Sequence, residues 1–217
     1  LHMYSLTGVM VHGKGTYIYV AQPPLHTGGN LMLECVWRTL LKLREQYKKN
    51  NQSWPKHLMI QLDNASDNKA KVHLSVFAHL VEAGMFESVT LNYLLTGHTH
   101  EDIDQMFSTI SHHFDKLVFN DSLKLVVTFE DFKDQVEKSF KSERFKPKCV
   151  ELIHLNHDFT SWLLPKQEAR LENLLQYHSL QLRRQTSEEM ECHAHLKLHQ
   201  YNNSACLFAK EFMSDRE

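Results

Sequence analysis

Between Met3 and Leu117 the hydrophobic pattern switches repeatedly between the two-residue period of a strand and the longer period of a helix. Met3–Val11 and Thr16–Ala21 are rich in β-branched and aromatic residues. His12-Gly13-Lys14-Gly15 lies between them as a glycine turn, so the two runs predict a hairpin. Pro23-Pro24 and Gly28-Gly29 then break the chain. Asn30 is placed to cap a helix in which Leu31, Leu33, Cys35, Val36, Trp37, Leu40, Leu41 and Leu43 recur at helical spacing, up to about Lys48. Leu58–Leu62 is a short apolar run, the mark of a central strand buried on both faces. A helix over 70–83 stopped by Gly84, a strand over 89–95, a loop over 97–102 and a helix to Leu117 follow.

The resulting order, β-β-α-β-α-β-α, predicts an α/β sandwich around a partly parallel sheet. A weak capping box at Thr128-Phe129-Glu130-Asp131 opens another helix, to about Phe140. After Pro147 the pattern changes: 150–155 reads as a strand, 162–177 as a helix, and 186–217 has no clear period. The expected division is a core over 1–145 and a small C-terminal α+β extension over 146–217.

Hydrophobic residues make up 42% of the 217, enough for a sizeable core, and only 7 Gly and 5 Pro argue against a turn-rich sandwich. No apolar run approaches the roughly 18 residues of a membrane span. Cys35, Cys149, Cys192 and Cys206 are scattered without a Cys-x-x-Cys pair, and no signal peptide opens the chain. Together they suggest an intracellular protein with reduced thiols, not a secreted one. The net charge of -2 is no electrostatic footprint for nucleic acid and counts against DNA binding by this piece alone.

Two runs could carry chemistry. The first is Gln61-Leu62-Asp63-Asn64-Ala65-Ser66-Asp67-Asn68-Lys69. An acid at the carboxyl end of a central strand lies where α/β sheets place ligands. Asn64 would cap the next helix or donate to a bound group. Asp67 and Lys69 are further candidates in the same run, and Lys69 with Lys71 would contact phosphate or simply form a solvated helix start. Alone, the run is read more readily as Asp63 and Asn64 only capping the next helix. In the second run, imidazoles and carboxylates crowd His98, His100, Glu101, Asp102 and Asp104 between a strand and a helix. With a helix start near Thr99, His100 and Asp104 share one face with Phe107 and Ile110, which would set Asp104 at the edge of the core. An acidic first turn favoured by the helix dipole explains Glu101 and Asp102, but poorly explains an acid on an apolar face. Two such carboxylates suit Mg²⁺ or Mn²⁺, a pair of which can clamp the attacking and leaving oxygens of a phosphodiester.

The stretch from Leu58 to Phe114 resembles an uncharacterised domain common in eukaryotic transposon-derived proteins. The resemblance rests on Leu62-Asp63-Asn64, Asn68-Lys69, Phe86, Val89 and Gly97-His98-Thr99 with Asp104. It extends over about 1–165, through the glycine hairpin and the Gly28-Gly29-Asn30 helix start. That family looks like a relative of the Asp-Asp-Glu/Asp transposases and integrases. The resemblance implies a ribonuclease H-like three-layer sandwich with a mixed central sheet, two divalent ions, a DNA substrate and a nuclear or intracellular site. It maps Asp63 to the second metal-binding acid. Asp104, in Ile103-Asp104-Gln105-Met106-Phe107, maps to the third. His98, His100 and Asp102 would orient those ligands or the phosphate. The first acid belongs on a strand ahead of the hairpin, yet no Asp or Glu precedes Glu34. The first strand is therefore expected to be missing, and the chain to be catalytically incomplete.

Two rivals stand beside this reading. One is a domesticated, non-catalytic interaction or DNA-binding module, possible as a homo-oligomer, which the near-neutral charge and the missing acid favour. The other is a zinc hydrolase resembling the metallo-β-lactamases, through His98-Thr99-His100-Glu101-Asp102. There Ile103 stands where the last histidine belongs, and the expected run of preceding strands is absent.

Overall fold

A computed structural model describes residues 5–22, 25, 29–62, 71–94, 102–120, 126–142, 146–163 and 178–184. In chain order its elements are β1 (Ser5–Val11), β2 (Gly15–Ala21), α1 (Gly29–Lys49), β3 (His57–Leu62), α2 (Lys71–Glu82), β4 (Ser88–Tyr93), α3 (Asp102–Phe119), α4 (Phe129–Ser139), β5 (Cys149–Ile153), α5 (Phe159–Leu163) and β6 (Ser179–Arg183). The first seven follow the order that the hydrophobic pattern predicts. The chain is mixed α/β, and its strands pair as two three-stranded sheets, β1-β2-β5 and β3-β4-β6. It divides into two compact units, residues 1–26 with 100–156 and residues 27–99 with 157–217. The segment 146–217, expected as an extension, contributes β5 to the first sheet and β6 to the second.

In the first unit β1 and β2 form the expected hairpin, antiparallel from Ser5↔Ala21 to Val11↔Gly15. Its turn closes through Lys14 N–H donating to Val11 O (3.0 Å), and Gly13 and Gly15 adopt φ of 73° and 133°, values that glycine takes without strain. β2 is the middle strand, parallel to β5 on its other side. Both of its faces are covered, as the aromatic and β-branched run Tyr17-Ile18-Tyr19-Val20 requires. Ile18 and Val20 pack with Val150, with Met106 and Ile110 of α3, with Phe132 and Val136 of α4, and with Phe140 at its C-terminal cap. Gly8 lets α3 lie close on β1, since a Cβ there would sit 2.8 Å from Met106 Cε. α4 opens on the expected capping box. Asp131 N–H donates to Thr128 Oγ1 (3.1 Å), and Asp131 Oδ2 accepts from Thr128 N–H (2.8 Å).

The second unit is built on a β-α-β turn. β3 runs parallel to β4 from His57↔Ser88 to Leu62↔Tyr93, and β6 lies antiparallel on the other side of β4. α1 buries Leu31, Leu33, Cys35, Leu40, Leu43 and Tyr47, and α2 buries Val72, Leu74, Val76, Phe77, Leu80 and Val81. Trp54 stacks edge-on to Tyr47 (5.4 Å) and near Phe86 (5.5 Å) while its indole N–H reaches Met85 O (3.0 Å), so it serves as packing. Both long helices end as Schellman turns. Gly84 (φ 70°) follows α2, with Met85 N–H on Leu80 O at 2.9 Å. Asn51 (φ 50°) follows α1, with Gln52 N–H on Tyr47 O at 2.9 Å.

Three expectations change. β3, expected as a central strand buried on both faces, is an edge strand among the described strands and is half-buried to exposed, with β4 in the middle instead. Asn30 lies within α1 instead of capping it, because the helix already begins at Gly29. Its amide is turned to Asp158 and Thr160 instead. Of the helix expected over 162–177, the described part is the short α5, which starts earlier, at Phe159.

Candidate functional site

β3 stops at Leu62, whose carbonyl accepts from Leu94 N–H (3.1 Å), and the next residue in the sequence is Asp63. Asp63, Asn64, Asp67, Lys69, His98 and His100 lie outside the described residues. The rung before the last of β3-β4-β6 is polar. Gln61 is paired with Asn92, and Asn92 with Ser179. Ser179 Oγ–H donates to the buried Asn92 Oδ1 at 2.8 Å. On the adjoining rung Tyr93 N–H donates to His178 O (2.8 Å). Burial pushes the Tyr93 phenol up to about 12, so it stays protonated at neutral pH. The Nδ1 of His178 is buried and meets no hydrogen-bond partner among the described residues. Toward the amino end the apolar rungs Leu58–Val89–Leu182 and Ile60–Leu91–Leu180 alternate with His57–Ser88–Arg183 and Met59–Thr90–Gln181, which carry polar residues. This is the carboxyl end of a parallel strand pair, the end at which α/β sheets hold ligands.

Asp102 and Asp104 occupy the first turn of α3. The helix buries Met106 and Ile110 and half-buries Ile103, Phe107 and Phe114. Asp104 lies off that stripe and is exposed, as is Asp102. This corrects the expectation that Asp104 sits on the apolar face. The stripe runs through Ile103, one residue earlier, and one residue turns the side chain about 100° round the helix. The helix dipole thus accounts for both acids as a favourable first turn. Their exposure also leaves both carboxylates open to solvent and to ions.

A third cluster was not foreseen. Glu34 of α1 is 1% exposed. Its Oε1 accepts from Arg38 Nε–H (2.7 Å), and its Oε2 accepts from His157 N–H (3.1 Å) and His157 Nδ1 (2.6 Å). Burial acts to raise the Glu34 carboxyl, but the hydrogen bonds from His157 and Arg38 outweigh it and hold the group below the usual carboxylate range. The sequence holds one signal for it: Glu34 stands between Leu31 and Cys35 on an apolar helix face, where an acid needs a partner. The partner lies more than a hundred residues away, beyond any local pattern.

Among the described residues, no group of three or more His, Cys, Asp or Glu side chains could hold a metal ion. No helix of the described residues is long and apolar enough to cross a membrane. Residues 1–202 match the family described as a domain of unknown function, DUF7869. The chain belongs to that family. No curated protein and no solved structure matches it. The DUF7869 match runs past both β5 and β6.

Proposed function

We propose that this DUF7869 domain is the core of a transposase- or integrase-like enzyme that cuts and joins DNA strands with two divalent ions. The observation that carries the reading is the end of β3. It leaves a parallel pair at its carboxyl end, and the next residue is Asp63. Asp104, exposed in the first turn of α3, supplies the second carboxylate. Hard carboxylates of this kind take Mg²⁺ or Mn²⁺, which would activate a water or a 3′-hydroxyl and stabilise the leaving oxygen. His98, His100 and Asp102 would orient ligands or phosphate, with Asn64, Asp67 and Lys69 beside them. The order β-β-α-β-α-β-α and the parallel β3–β4 pair support a ribonuclease H-like sandwich as the finer description of the fold. In this reading the third carboxylate comes from a strand ahead of the hairpin, and the protein acts within the cell, on DNA in the nucleus.

The test is nicking of supercoiled DNA in Mg²⁺ or Mn²⁺ by the chain joined to a strand bearing that acid. Nicking that stops in Asp63→Asn and in Asp104→Asn supports the reading. Nicking that persists in both, or DNA left intact throughout, overturns it. A second reading, a non-catalytic interaction module, is favoured by the net charge of -2, which provides little attraction for a phosphate backbone. It predicts intact DNA with the fold unchanged.

A further inference from the structure

The buried carboxylate of Glu34 is tied to a segment that the proposed chemistry does not use. The chain returns to the second unit at His157. From there to Leu163 it lies against α1 and α2. Two sets of bonds join it to α1. Glu34 Oε2 accepts from both the backbone and the ring of His157. One turn earlier, Asn30 Nδ2–H donates to Asp158 Oδ1 (3.2 Å), and Asn30 Oδ1 accepts from Thr160 N–H (3.3 Å) and Thr160 Oγ1–H (3.1 Å). Asp158 in turn accepts from Ser161 N–H (3.0 Å) and Ser161 Oγ–H (2.6 Å), which fixes the turn into α5. The apolar anchors are few: Phe159 and Leu163 are buried, and Trp162 is 46% exposed with its ring edge-on to His79 of α2.

We propose that Glu34 and Asn30 form a latch that pins the His157–Leu163 segment to α1, and that the segment opens as one piece when the latch is broken. The physical ground is the imbalance of its contacts. A five-residue helix cannot sustain itself, and two buried apolar side chains hold it weakly. The charged, dry hydrogen bonds at Glu34 are the strong ones. With Glu34 ionised, His157 Nδ1 carries the proton it donates, and the His157 side chain as a whole stands 68% exposed. His157 therefore fastens the strap without being enclosed by it. Segments held by few buried contacts open locally at less cost than the whole fold.

Native-state hydrogen exchange on the full chain tests this, comparing peptides over 157–163 with peptides from α2 and β3–β4. In Glu34→Gln and in His157→Ala, exchange over 157–163 rises by about tenfold or more while the α2 and β3–β4 peptides keep their rates. Equal acceleration throughout the second unit overturns the proposal, because Glu34 would then support the whole unit. Unchanged protection over 157–163 overturns it as well. Should Glu34→Gln fail to fold, Asn30→Ala gives the same reading. It removes the second tie without leaving a buried charge, and it accelerates the same peptides or contradicts the latch.

Discussion

The starts of α1 and α3 both carry acids, and the two places could hardly differ more. Glu34 in α1 is buried and meets three donors. Asp102 and Asp104 in α3 are exposed and lie off the apolar stripe of their helix. A buried carboxylate whose oxygens are already occupied has no capacity for a metal or a substrate, and its role is to hold structure. An exposed carboxylate contributes little to folding and stays available. The contrast separates an acid that the fold needs from acids that the fold can spare, and the spared ones are the candidates for chemistry.

That contrast breaks if the two sites respond alike to mutation. Glu34→Ala removes the acceptor of Arg38 and His157 and should lower the opening free energy of the 157–163 segment by about 2 kcal/mol, read from native-state hydrogen exchange. A loss near zero would place Glu34 with the dispensable acids. Gly8→Val, in the first unit, forces a side chain against Met106 and should cost about 1–3 kcal/mol. Thr128→Ala removes the cap of α4 and should cost about 1 kcal/mol. Asp104→Asn should change stability by less than about 0.5 kcal/mol, since it removes an exposed group.

Acid sharpens the same comparison. The folded Glu34 carboxyl lies below its ordinary value, so its contribution is fully present above the ordinary value of about 4.3 and is lost as pH falls through the lowered one. The stability of the wild type should therefore decline more steeply with acid than that of Glu34→Gln. Parallel pH profiles would contradict the assignment.

Much of this fold was legible in the sequence because its signals are local. The glycine hairpin, the Thr128–Asp131 box, the helix stop at Gly84 and the apolar run before Asp63 all act within a few residues. β6 was not legible: Ser179-Leu180-Gln181-Leu182-Arg183 offers only two alternating apolar residues, and its pairing with β4 is set by tertiary contact. Glu34 and His157 were missed for the same reason. The position of Asp104 was misread because the stripe of α3 was traced through Phe107 and Ile110 from the wrong residue. Ile103 and Met106 fix it one step away.

The proposed function requires that Asp63 and Asp104 both serve divalent-ion binding. A double-mutant cycle on Mn²⁺ affinity, followed by the electron paramagnetic resonance of free Mn²⁺, addresses it directly. The account predicts that Asp63→Asn and Asp104→Asn each weaken binding, and that the double variant loses much less than the sum of the two. Additive losses, or Mn²⁺ affinity indifferent to both residues, would contradict it.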